Sequence, residues 1–244
     1  MEYPELQNLN ERERYLATLS FISSAMQRSK RKMKILDIGC DTGQMSMLFD
    51  RIGLEVSCTS ATELPPETDK LFTRKHITFK KCILPYDSLP FPPDTFDFVY
   101  MGALFEHIPS AHKMVLEDVK RVMKGGGYLI IETPNLANIS NRLLLLMGRP
   151  VSAYIEQYYN DDNWIGHFRE FTLGEMKAIL GYSGYEVVES KMFNFMPLIR
   201  HKGIKKFLIL GATFIVLKIT SFIPSARQCI WIVGQKTKEI SNGQ

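Results

Sequence analysis

Near its start the chain reads Ile35-Leu36-Asp37-Ile38-Gly39-Cys40-Asp41-Thr42-Gly43. A short apolar run stops at a glycine, and a second glycine opens a stretch at 43–52 that reads as a helix ending at Gly53. This is a buried strand turning into a helix. Without a Cβ, the backbone at Gly39 and Gly43 can approach a ligand closely. The helix that follows would aim its first amides into the same crevice. In open α/β sheets ligands bind beyond the carboxyl ends of the strands, so this turn is the first place to expect a site. A dinucleotide is disfavoured there. Its fingerprint needs G-x-G-x-x-G, and Asp41 and Gln44 stand where the later glycines belong. Asp41 would also place a carboxylate beside a pyrophosphate.

Outward from this turn the chain alternates. Before it, Tyr15, Leu16, Leu19, Ile22 and Met26 form a helical stripe over 10–27, followed by the basic stretch RSKRKMK at 28–34, expected to be a solvated connector. After it come strands at 55–59, 77–82 and 96–101, with Pro65-Pro66 expected to break any helix after the first of these. A helix at 111–123 is expected to stop at Gly125-Gly126-Gly127 and feed a strand at 128–132. Thr172 with Glu175 forms a capping box that opens a helix to about Gly181. Strands at 186–192 and 228–235 close the series. Alternating strands and helices predict an α/β fold, with a mostly parallel sheet covered on both faces. No repeat or linker divides the 244 residues, so one domain is expected over 1–244.

Composition narrows the class without naming it. The chain is 45% hydrophobic and 23% charged, which is globular rather than disordered. A net charge of +4 is too mild to argue for nucleic acid. Cys40, Cys58, Cys82 and Cys229 lie far apart with no C-x-x-C, so they read as buried free thiols of a reducing compartment. No apolar signal core follows Met1, and the expectation is a cytoplasmic protein. The five His are scattered without ligand spacing, so no metal is expected.

Downstream motifs make the reading specific. Leu89-Pro90-Phe91-Pro92-Pro93-Asp94-Thr95-Phe96-Asp97-Phe98-Val99 resembles the L-P-F-x-x-x-x-F-D-x-V of class I S-adenosylmethionine-dependent methyltransferases of the type-11 kind. Leu104-Phe105-Glu106-His107-Ile108 is similar to their L-E-H-[IV] segment, with one extra residue. Arg121 to Gly127 resembles R-V-L-K-P-G-G, and Thr133-Pro134-Asn135 resembles T-P-N. His167-Phe168-Arg169-Glu170-Phe171-Thr172 and Ser183-Gly184-Tyr185-Glu186-Val187 are similar to H-x-R-x-F-T and A-G-F-x-V in order.

The resemblance implies a Rossmann-like seven-stranded sheet with its last strand antiparallel, and S-adenosyl-L-methionine lying over the strand tips. It divides the domain into a cofactor-binding core at 34–135, a substrate-side insert at 136–170 and a C-terminal part at 171–244. Carried over by position, Asp37 and Gly39 would meet the methionyl group, with Cys40, Asp41 and Gly43 in the turn. Met101 and Gly102 would line the sulfonium region through their backbone. The family's ribose-binding acid falls at about Ser60, leaving Glu63 as the nearest carboxylate, and near the adenine only Asp87 is close. These departures keep open a non-catalytic relative of the family.

His107 and His167 are the candidate catalytic residues, since imidazole can take a proton from an acceptor hydroxyl near neutrality. The alternatives are structural: His107 organising its loop, His167 bonding the start of the Thr172 helix. No N-P-P-[YF] follows the fourth strand, where Tyr100-Met101-Gly102-Ala103 stands, which disfavours amino-group acceptors on adenine or glutamine. The expected acceptor is a small molecule, or a lipid- or glycan-associated one, methylated at oxygen; an RNA acceptor is the rival. Phe207 to Leu217 is an 11-residue apolar run behind Arg200, Lys202, Lys205 and Lys206. It is too short to span a bilayer. It reads either as a buried or lid helix within 204–223, or as a helix on a membrane surface over 200–223.

Overall fold

The computed structural model describes residues 12–29, 31–151, 159–160, 166–194, 218, 220 and 222–237. Helix α1 (Arg12–Gln27) precedes a core of β1 (Lys34–Ile38), α2 (Gln44–Arg51), β2 (Glu55–Ser60), α3 (Pro66–Lys75), β3 (Thr78–Lys81) and β4 (Phe96–Gly102). Then follow α4 (His112–Val122), β5 (Met123–Pro134), α5 (Ile139–Leu146), α6 (Leu173–Tyr182), β6 (Tyr185–Phe193) and β7 (Cys229–Lys236). The seven strands form one sheet in the order β3-β2-β1-β4-β5-β7-β6. The first five pair in parallel, and β7 runs antiparallel to both β5 and β6. This is the expected Rossmann-like sheet with its reversed last strand.

Strand periodicity explains why both faces are dry. Successive side chains point to opposite faces. Leu36, Val99, Met101, Leu129, Ile131, Ile230 and Ile232 pack on one side with α4 and α6. Their neighbours Ile35, Phe98, Tyr100, Ile130, Trp231 and Val233 pack on the other with α1, α2 and Phe72 of α3. Asp37 falls in the register of Ile35, two residues on, and so reaches Ser46 of α2.

Three sequence expectations need correction. Pro66 does not break the helix after β2 but starts it, at the first helical position of α3. There its missing N–H has no intrahelical partner to lose. Gly125-Gly126-Gly127 does not end before β5 but lies inside it. The pairing with β4 jumps from Phe96↔Met123 to Phe98↔Tyr128, and the glycines fill the bulge. A Cβ on Gly127 would stand 2.9 Å from the Lys124 carbonyl oxygen. Lastly, the basic connector is not simply solvated. Arg31 forms a bidentate ion pair with buried Asp97, which also accepts from the Lys34 amide at 2.9 Å and Lys124 Nζ at 3.1 Å.

Helix α5 leaves no helical period in the sequence, because it ends in four successive leucines. Asn138 caps it by accepting from the Asn141 amide, and none of its residues is buried. Most of the C-terminal apolar run lies outside the described residues. Among those described, no helix is long and apolar enough to cross a membrane.

Candidate functional site

At the carboxyl end of β1 the chain turns tightly. The amides of Gly39 and Cys40 both donate to the Thr59 carbonyl at the tip of β2, at 2.8 and 2.9 Å, and Gly43 N donates to Cys40 O at 2.7 Å. Gly43 is required twice over. Its φ is +80°, and a Cβ there would stand 2.5 Å from the Phe72 ring. It precedes α2 with no side chain capping that helix, so the first-turn amides stay available for a ligand.

These residues form one wall of a cleft of about 350 Å³. Asp37, Gly39, Cys40 and Asp41 come from the turn, Gly102 and Tyr100 from β4, and Arg14 and Tyr15 from α1. Gly102 makes room for the Tyr100 phenol, which a Cβ at that position would strike. The sequence candidates thus divide. Asp37, Gly39, Cys40, Asp41 and Gly102 line the cleft, and Gly43 stands between the lining residues Thr42 and Gln44 without lining it. Ser60, Glu63 and Met101 are not among its lining residues. Ser60 lies at the tip of β2, where its hydroxyl accepts from the Thr62 amide at 3.3 Å. Glu63 is 75% exposed and pairs with Lys81 at 3.4 Å. The Met101 side chain is buried in the α4 face. Asp87 accepts from the Ile83 amide at 2.8 Å and closes its own turn.

Arg14 and Tyr15 went unnoticed as site residues. Arg14 lies beside the apolar stripe, on the buried face of α1, and is almost fully buried. Its guanidinium pairs with Glu132 at 2.8 Å. Glu132 also accepts from Thr18 Oγ1 at 2.8 Å, and Thr18 in turn accepts from Trp231 Nε1 at 2.7 Å. Burial alone would lower the guanidinium's proton affinity, but the Glu132 carboxylate outweighs it and holds Arg14 charged. Asp37 is governed the other way. Burial raises its pKa to about 7, reinforced by Glu132 and opposed by the Ser46 hydroxyl 2.6 Å away.

Beyond β4, a turn of 3-10 helix at Phe105–His107 presents Glu106 and His107. The Phe168 amide donates to the Glu106 carbonyl at 2.9 Å, which brings in the segment carrying His167. The two imidazoles meet edge to face, with ring centres 4.8 Å apart. Glu106 is 1% exposed; its Oε2 accepts from Thr133 Oγ1 at 2.9 Å, and its Oε1 is buried with no hydrogen-bond partner. His167 does not bond the start of the Thr172 helix, as its structural reading supposed. That start is satisfied by Glu175, and His167 Nδ1 lies 2.9 Å from Glu170 Oε1, which raises its pKa. Sixty residues of separation hid this pairing from any spacing rule.

The sequence model of the methyltransferase domain matches residues 9–190. The chain belongs to the methyltransferase domain family. The chain is 29% identical over 173 residues to the mitochondrial ubiquinone biosynthesis O-methyltransferase of Candida albicans, covering 63% of this chain and 52% of that one. It spans about half the length of the curated relatives it matches, 47%, 52% and 42%. Its fold is shared with the 1,6-didemethyltoxoflavin-N1-methyltransferase of Burkholderia thailandensis, whose structure holds S-adenosylhomocysteine. That pair has a TM-score of 0.59 and 17% identity, over 92% of this chain and 79% of that one. A SAM-dependent methyltransferase of Archaeoglobus fulgidus aligns with a TM-score of 0.56 and 20% identity, over 89% and 94%.

The residues of the cleft fit S-adenosylmethionine. The amino-acid end of S-adenosylmethionine needs a carboxylate for its ammonium and donors for its carboxylate. Asp37 offers the first; Arg14 and the uncapped amides of α2 offer the second. The glycine turn leaves the backbone bare where the ligand must come close.

Proposed function

We propose that the protein transfers a methyl group from S-adenosylmethionine to an oxygen of a small, lipid-associated or glycan-associated acceptor. The observation that carries this reading is adjacency. The cleft containing Asp37 is lined by Gly102 and Ala103, and Glu106 and His107 follow in the chain, in the 3-10 turn Phe105–His107. The sulfonium arrives already activated, so the protein has chiefly to align donor and acceptor and dispose of a proton. Asp37 would receive the cofactor's ammonium, and Arg14 would face its carboxylate. The backbone of Gly102 would border the reacting sulfur. The Glu106–His107–His167 cluster would receive the proton that a hydroxyl acceptor sheds. A lipid-associated acceptor is supported by the apolar surface of α5, where Leu145 is 59% exposed and Leu146 83%.

Calorimetric titration with S-adenosylhomocysteine tests the reading. Micromolar binding, lost in Asp37→Ala, is the expected result. No binding up to millimolar would overturn it and favour the non-catalytic reading, which rests on Ser60 standing where relatives carry an acid. Replacing Leu145 and Leu146 by Ser should reduce sedimentation with liposomes if the acceptor lies in a lipid surface; unchanged sedimentation would leave only a soluble acceptor.

A further inference from the structure

The geometry points to a divalent transition-metal site formed by Glu106, His107 and His167. The potential ligand atoms of these three residues all lie within 4.8 Å of one another. Two atoms bound to one ion at about 2.1 Å can be at most about 4.2 Å apart. In a tetrahedral arrangement two such atoms lie about 3.4 Å apart, so the loosest pair has to close by about 1.4 Å, within the reach of side-chain rotation.

Two observations separate this cluster from a chance meeting of polar groups. The first is the wiring behind each imidazole. His107 Nδ1 faces the Gly166 carbonyl at 3.2 Å, and His167 Nδ1 faces Glu170 Oε1 at 2.9 Å. An acceptor at Nδ1 keeps the proton there and leaves Nε2 with its lone pair, which is how metal-binding histidines are oriented. The second is Glu106. One of its oxygens is held by Thr133, while the other is buried and has no hydrogen-bond partner. A buried carboxylate oxygen is not left unsatisfied without cost, and a cation held with the two imidazoles would satisfy it.

The donor set selects the metal. Two imidazoles and one carboxylate suit Zn²⁺, Fe²⁺, Co²⁺ or Mn²⁺; Mg²⁺ and Ca²⁺ call for oxygen ligands throughout. Three protein ligands leave positions open for water or an acceptor oxygen. On the methyltransferase reading, on which this consequence alone rests, a hydroxyl bound there would lose its proton more readily.

The test uses the full chain, stripped with a chelator and titrated with Co²⁺ by visible absorption and with Zn²⁺ by calorimetry. One equivalent should saturate, and a millimolar excess of Mg²⁺ should not displace it. Glu106→Gln and His167→Asn should each weaken binding about tenfold or more. His167 is 38% exposed, so its variant keeps the test alive if Glu106→Gln does not fold. No saturable uptake, or equal uptake by the wild type and His167→Asn, would overturn the site. S-adenosylhomocysteine is titrated into the same samples: its failure to bind the wild type would strike the methyl-transfer reading, and would leave the metal result standing.

Discussion

Asp37 carries the sharpest consequence at the scale of a single residue. Its carboxyl is pushed up to about 7 by burial, well above the 3.8 of an exposed aspartate. Between those values the folded protein holds a proton that the unfolded chain has lost, so this residue makes the protein less stable as pH rises from about 4 to 7. A cofactor ammonium reverses the preference, because it favours the ionised carboxylate. Affinity for S-adenosylhomocysteine should therefore fall up to about tenfold per unit as pH drops below 7. Asp37→Asn should bind weakly and without that pH dependence, as calorimetry between pH 5 and 8 would show. Glycines and one aspartate were enough to find this wall of the cleft from the sequence, because backbone room and a buried carboxylate are local properties. Arg14 and the contact of His107 with His167 were not legible. Each depends on segments that only the sheet brings together.

At the scale of elements, α1 is fastened by polar groups as well as by its apolar stripe. Arg14 and Thr18 meet Glu132 at the tip of β5, and Thr18 meets Trp231 on β7. Removing one member of a buried charged pair leaves the other uncompensated, at a cost of about 3–5 kcal/mol. Glu132→Ala should lower stability by that much in a urea titration. Arg14→Met with Glu132→Leu should recover most of the loss while leaving cofactor binding weak. The strands and the capping box at Thr172 could be read in advance, since alternating apolar runs and caps act over a few residues. The glycine bulge in β5 and the start of α3 at Pro66 could not. A triple glycine reads as a stop, and a double proline as a break, until the register of the neighbouring strand or the helix geometry is known.

Across the whole molecule, the two edges of the parallel sheet do different work. The carboxyl edge holds the cleft. The opposite edge is closed by Asp97, where Arg31, the Lys34 amide and Lys124 converge. Burial would raise that carboxyl, but these donors outweigh it and hold it below the ordinary 3.8. Its contribution is thus present above about pH 4 and disappears as pH falls through the folded value. Asp97→Asn should cost about 1.5–3 kcal/mol at neutral pH, the worth of hydrogen bonds to charged groups. The difference from wild type should shrink in thermal melts as pH falls below about 4, and S-adenosylhomocysteine affinity at pH 7 should be unchanged.

The hydrogen bond between Trp231 and Thr18 joins residues 213 positions apart. Seen in time rather than space, it makes the ligand cleft one of the last features a growing chain can finish. The turn at Gly39 and its helix leave the ribosome early, yet the α1 wall has no fastening on β7 until that strand has been made. A nascent chain halted before Cys229 would carry every glycine of the turn and still lack that closure.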